Sequence, residues 1–254
     1  MKKKILVLSV AISLILATSA YSQFLLNDRF DSFNSDLWND YSRLGGSASV
    51  ENGYLKLTAQ EGTPVSAGVV SSKFNISGNY DIQVDFSLAV FNAGFSDAGF
   101  VLNAMDGSYQ MVMYRSWEVN NSQPYISYWR LDGGVQNVGV IPTSDQSGKF
   151  RFLREGNQIG SYFWGESGWI PIITDYLPGG ISSPVTVDMI ASNGGDYGSS
   201  PYVEDNYDNF YVHASRISGV DESYIIAQPE PGTIILLGSG LLGLGAFNYV
   251  RRRK

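Results

Sequence analysis

The stretch YDIQVDFSLAVF, residues 80–91, alternates strictly: Ile82, Val84, Phe86 and Leu88 take one parity, and Asp81, Gln83, Asp85 and Ser87 take the other. A period of two puts successive side chains on opposite faces of an extended chain, so the segment reads as a half-buried strand. YQMVMYRSW (109–117) and PYISYWRL (124–131) keep the rhythm but carry large side chains on both faces, as a strand lining a groove or covered on both sides does. Asn52-Gly53, Asp132-Gly133-Gly134 and Glu155-Gly156-Asn157 sit between such runs and supply residues tolerant of positive φ, which is hairpin chemistry. About eleven strands at this spacing, with no helical periodicity between them, predict one all-β domain, an antiparallel sandwich or jelly roll. It is expected over residues 23–218, with a linker over 219–228.

Charge narrows the partners. Seven of the 17 basic residues lie at the two ends, Lys2, Lys3 and Lys4 at one and Arg251, Arg252, Arg253 and Lys254 at the other. Between Gln23 and Gln228, 10 basic against 23 acidic residues leave a net charge of −13, which argues against nucleic acid and favours a neutral or cationic ligand. The absence of cysteine excludes disulfides, metal thiolates and cysteine catalysis.

The ends read as addresses. Lys2–Lys4 precede the apolar stretch Ile5–Ala17, and ATSAYSQ then offers small residues for cleavage, so residues 1–22 are expected to be a secretory signal peptide and the chain a substrate of the secretion machinery. At the other end, Ile234–Val250 is an apolar run of 17 residues, long enough to span a membrane as a short helix with its cations left inside. Pro229-Glu230-Pro231, this helix over 234–250, and Arg251, Arg252 and Arg253 with Lys254 together resemble the PEP-CTERM sorting signal, here covering 229–254. The resemblance implies a Gram-negative host that makes exopolysaccharide, an exosortase-type membrane protease acting at the Pro-Glu-Pro, transient anchoring in the inner membrane, and delivery to the cell surface or extracellular matrix.

Three segments resemble concanavalin A-like lectin/glucanase domains. LNDRFDSFNSDLWNDYS, with Phe30, Phe33 and Trp38, is similar to the first strand and loop of that fold. GKFRFLREGNQIGSYFWGESGWIPI resembles a recurrent hairpin with a Gly-Trp element, and YDNFYVHA resembles the closing strand. The resemblance implies a concanavalin A-like jelly roll. Catalytic relatives of the laminarinase type carry Glu-x-Asp-x-x-Glu, or a close variant, along one strand, where alternation points the acids into the cleft. No strand here has that pattern: Glu51, Glu61, Glu118, Glu155, Glu166 and Glu204 all lack partners at that spacing. The domain is therefore expected to be non-catalytic, unless distant strands assemble the pair.

Other chemistry finds less support. His213 is the single histidine and reads as structural, no Gly-x-Ser-x-Gly element accompanies it, and no glycine-rich loop stands between a strand and a helix to hold a nucleotide. No cofactor is required, but NGGDYGSSPYVEDNYDNF gathers Asp196, Glu204, Asp205 and Asp208 in an expected loop, and hard oxygen ligands at uneven spacing can hold calcium. Sugar rings stack on aromatic faces while polar neighbours fix their hydroxyls, and Tyr114, Trp117, Tyr128 and Arg130 fall on adjacent expected strands. Alternation sets Tyr114 and Trp117 on opposite faces, so only part of this set can share a groove, and core packing competes for each ring. The expected function is an exported surface or matrix protein that binds extracellular carbohydrate, its host's exopolysaccharide included, without cleaving it. A hydrolase with a rearranged carboxylate pair and a purely structural or adhesive matrix protein are the alternatives.

Overall fold

In the computed structural model the chain is described over residues 23–91, 96–117, 123–179, 181–194 and 200–228. Residues 1–22, expected as a signal peptide, Glu118, Asp196 and the whole of 229–254, with the expected membrane helix over 234–250 and the sorting residues Pro229, Glu230, Pro231, Arg251, Arg252 and Arg253, lie outside the described residues. Among the described residues no helix is long and apolar enough to cross a membrane. Residues Leu25–Ile226 form one compact unit, and the buried hydrophobic residues run from Leu26 to Ile217, so this span closes its own core.

The strands are β1 (Gln23–Asp28), β2 (Trp38–Asp40), β3 (Ser47–Glu51), β4 (Tyr54–Ala59), β5 (Ala67–Ser72), β6 (Asn75–Val90), β7 (Ser96–Ala104), β8 (Tyr109–Trp117), β9 (Pro124–Leu131), β10 (Gly134–Pro142), β11 (Ser147–Glu155), β12 (Gln158–Gly165), β13 (Gly168–Tyr176), β14 (Val185–Asn193), β15 (Val203–Ser218) and β16 (Ile226–Gln228). Antiparallel pairing arranges them in two layers. The first runs β10-β9-β8-β7-β14-β5-β2, and the second runs β13-β12-β11-β6-β15, with β4 and β3 continuing from β15. Among the described residues one pair, Val185 with Ile76, joins the layers at the backbone. This is the concanavalin A-like jelly roll that the sequence resemblance implies.

The two-residue loops behave as their sequences demand. Asn52-Gly53 (φ 55° and 78°) and Asp132-Gly133 (φ 48° and 81°) have positive φ at both central positions, the turn whose twist matches that of the strands it joins. The long alternating strand β6 buries Ile82, Val84, Phe86 and Leu88, as its parity requires. Between the layers the core is aromatic. Phe100 on β7 stacks on Phe152 of β11 at 5.0 Å, and Tyr125 on β9 stacks on Phe163 of β12 at 4.3 Å. Offset and edge contacts of this kind add about 0.5–1.5 kcal/mol each beyond the area they bury.

Polar bonds also cross the core. The Tyr207 hydroxyl, from β15, donates to the carbonyls of Ile190 (2.7 Å) and Gly99 (3.1 Å) in the opposite layer. The buried Arg115 donates to the Asp145 and Ser116 carbonyls at 3.0 and 3.1 Å and to Gln123 Oε1 at 3.1 Å, with Phe91 and Tyr125 against its guanidinium. The opening segment and the closing strand meet: Trp38 lies edge-on to Phe210 at 4.9 Å, packs on Phe30 and Phe74, and donates its indole N–H to Asp28 at 2.8 Å. Span 219–228, expected as a linker, instead carries a 3-10 turn at Glu222–Tyr224, capped by Asp221, and β16. The Tyr224 hydroxyl there reaches Asp36 at 3.1 Å.

Candidate functional site

Directly paired residues share a sheet face, so the register of the first layer sorts its side chains. Ala98, Phe100 and Leu102 of β7 are buried in the core, which leaves Asp97, Gly99, Val101 and Asn103 on the outer face. Their partners carry that face across the layer. One row runs Thr186, Asn103, Gln110, Arg130; the next runs Asp188, Val101, Val112, Tyr128; a third runs Ile190, Gly99, Tyr114, Ile126. Tyr114, Tyr128 and Arg130 thus share the outer face. Trp117 has the opposite parity, packs on Phe91 at 5.7 Å, and its indole N–H has no partner among the described residues.

The tyrosines form the aromatic part of this face. Their ring centroids lie 6.4 Å apart and tilted by 51°, and the Arg130 guanidinium sits 4.9 Å from the Tyr128 ring. Tyr114 folds back over β7, where a Cβ on Gly99 would come within 2.6 Å of its ring, so only glycine leaves room for it. Burial, and then the charge of Tyr128 and Asp97 nearby, raises the Tyr114 phenol far above its ordinary pKa and keeps it a hydrogen-bond donor. Beneath the rings Val101 and Val112 are buried as an apolar floor.

Beside the rings lies a polar relay that no sequence window shows. Gln110 Nε2 donates to Asn103 Oδ1 at 2.7 Å, and Asn103 Nδ2 donates to Asp188 Oδ2 at 2.7 Å, linking β8, β7 and β14. Burial raises the pKa of Asp188, against the opposing pull of hydrogen bonds from Ser71 and Asn103. Each amide is thereby held in one orientation, which leaves Gln110 Oε1 as an acceptor next to Arg130.

Strands β5, β7, β8, β9, β10 and β14 carry two carboxylates between them, Asp97 and Asp188. Asp97 pairs with Ser192, four residues along β14 from Asp188, so the two stand about 13 Å apart along the strand direction. Retaining glycosidases hold their carboxyls at about 5–5.5 Å and inverting ones at about 6.5–9.5 Å. The other glutamates of interest lie elsewhere: Glu51 pairs with Lys56 beside the β3–β4 turn, and Glu155 ends β11.

The acidic stretch expected as a loop is a strand from Val203 onward, and its described carboxylates diverge. Glu204 faces Lys56 at 3.3 Å and Asp208 accepts from Asn209, whereas Asp205 points into the core with neither oxygen partnered among the described residues. Among the described residues no group of three or more His, Asp and Glu could hold a metal ion. His213 pairs with Asp81 in register, and its Nε2 is buried without a partner among the described residues.

Residues 229–254 match the PEP-CTERM protein-sorting motif. The tail is a PEP-CTERM sorting signal. It marks the protein for export and implies processing by exosortase. No curated protein matches the chain. Among solved structures the domain is similar to SCLam, a non-specific endo-β-1,3(4)-glucanase from family GH16, with a TM-score of 0.62 at 13% identity over 78% of this chain and 97% of that one. It is similar to a pseudo β-1,3-glucanase of Mycobacterium tuberculosis, an immunostimulatory antigen, with a TM-score of 0.60 at 15% identity over 75% and 98% of the two chains. The β-glucanase of Bacillus licheniformis follows with a TM-score of 0.55 at 15% identity over 78% of this chain and 100% of its own. At such identities the likeness is one of fold.

Proposed function

We propose that this PEP-CTERM protein binds extracellular polysaccharide along the outer face of its first layer and does not cleave it. One observation carries the reading: an aromatic pair, Tyr114 and Tyr128, lies on the same face as a pre-oriented polar row, Asn103, Gln110 and Arg130, with Asp188 holding Asn103 from the neighbouring row. Rings stack on the C–H faces of pyranoses, and fixed amides, a guanidinium and a carboxyl satisfy their hydroxyls. Binding without cleavage is supported by the spacing of Asp97 and Asp188, which is too wide for either glycosidase geometry. A sorting signal that delivers the domain outside the cell fits a ligand found there. The activities of the structurally similar glucanases on β-glucans fit the same ligand class.

The test is affinity electrophoresis of residues 23–228 through gels containing a panel of polysaccharides, the host's own included, for wild type and Tyr128→Ala. A retarded wild type and a variant weakened by about 1–3 kcal/mol, roughly a fivefold or greater loss, support the face as the site. Equal retardation of both proteins places binding elsewhere, and no retardation on any polymer leaves a structural or adhesive role.

A further inference from the structure

Arg130 ends the polar row at its β10 side, and its surroundings say more about the ligand than the row does. Lys56, Lys149 and Arg151 are each held by carboxylates, and Arg115 and Arg154 are buried and held by carbonyls. Among the described residues Arg130 is exposed and makes no ion pair; its contact is with the face of the Tyr128 ring. It lines a cavity of about 220 Å³ together with Asn103, Gln110, Gly107 and Gly133, and no carboxylate lines that cavity. A volume below the ~300 Å³ of a typical small-ligand site suits one substituent or ring edge of a polymer, not a whole oligosaccharide.

The cavity's chemistry is a pair. Stacking on Tyr128 occupies one face of the guanidinium and leaves its planar edge of N–H donors open. Gln110 gives one of its two amide hydrogens to Asn103, which fixes the amide and leaves its oxygen as an acceptor beside that edge. A planar cationic fork matches a carboxylate bidentately, and an adjacent amide oxygen takes a hydroxyl proton. A sugar ring with a carboxylate next to a hydroxyl, a uronic acid unit, meets both. The domain's charge of −13 opposes an acidic polymer at long range, but screening confines that repulsion to about 8 Å at physiological ionic strength, and inside the cavity Arg130 is the local charge.

We propose that the polysaccharide is acidic and that Arg130 pairs with the carboxylate of a uronate unit seated in this cavity beside Gln110. The assignment rests on the glycan-binding reading of this face. It is tested with residues 23–228, wild type and Arg130→Ala, Arg130→Gln and Arg130→Lys, by calorimetric titration with polygalacturonate, with the same polymer methyl-esterified, and with a neutral β-glucan. Wild type should bind the free acid at least about tenfold more tightly than the ester, since a charge-assisted hydrogen bond is lost on esterification. Arg130→Ala and Arg130→Gln should erase that preference, and Arg130→Lys should keep part of it. Because Arg130 is exposed, all three variants should melt with wild type, which a thermal scan checks. If wild type binds acid, ester and glucan alike, or if Arg130→Ala keeps the preference, the uronate assignment is wrong while glycan binding stands. If none of the three polymers binds, both fall.

Discussion

Replacing Asp205 with asparagine should make the protein's stability less sensitive to pH, with the advantage of the variant growing as pH rises. Asp205 is 0% exposed, lies in register with Leu57 and Leu88, and among the described residues has no partner for either carboxyl oxygen. Burial raises its pKa well above the usual carboxylate range, and the charges of Asp97 and Glu204 push the same way. In the unfolded chain an aspartate titrates near 3.9, so above about pH 4 the unfolded state has released a proton that the folded state keeps. The folded state then binds more protons, and stability falls by about 1.4 kcal/mol per pH unit until the folded pKa is passed. Carried to pH 7 the loss has a ceiling of about 4 kcal/mol, a large part of the ~5–15 kcal/mol that holds a domain folded. Asparagine keeps the shape and cannot ionise, so it removes the slope; its own buried amide costs about 1–3 kcal/mol at every pH, an offset and not a slope. Urea unfolding of residues 23–228 and of Asp205→Asn, from about pH 5 to about pH 8, reads the difference directly. Parallel pH profiles would refute the reasoning. A wild type that gains on the variant as pH rises would show Asp205 ionised and held by a cation.

Two further substitutions probe the scaffold under the candidate site. Gly99→Ala should displace the Tyr114 ring, since the new Cβ would lie 2.6 Å from it, and should weaken polysaccharide binding while costing about 1–3 kcal/mol of stability; unchanged binding and melting would show that Tyr114 does not need that space. Arg115→Met should cost about 3 kcal/mol or more, because the Asp145 and Ser116 carbonyls and the Gln123 amide lose their donor in a buried place; a variant as stable as wild type in urea would mean that apolar packing can replace the guanidinium there.

The strand rhythm was legible because one face of each strand is buried, and a period of two follows from that. β6 is the clear case, and the Asn52-Gly53 and Asp132-Gly133 turns fall where residues tolerant of positive φ were needed. The short strands β2 and β16 escaped notice, since three residues give alternation too little length to register. The opposite facing of Tyr114 and Trp117 could be read from parity alone. Reading 203–208 as a loop missed that Val203, Asp205 and Tyr207 share a parity; that parity sends Asp205 inward and separates it from Glu204 and Asp208. The relay of Gln110, Asn103 and Asp188 could not be seen, because 85 residues separate Asn103 from Asp188 and only the β7–β14 pairing brings them together. The tail was the most legible part, because a sorting signal is read as linear sequence by the machinery that handles it.

Binding without cleavage is tested most directly by titrating residues 23–228 with the host's own exopolysaccharide in a calorimeter and assaying the recovered mixture for new reducing ends. A saturable isotherm with no reducing ends above the protein-free control is the predicted result. New reducing ends that rise with protein and time would contradict it, showing that carboxylates beyond Asp97 and Asp188 complete a catalytic pair.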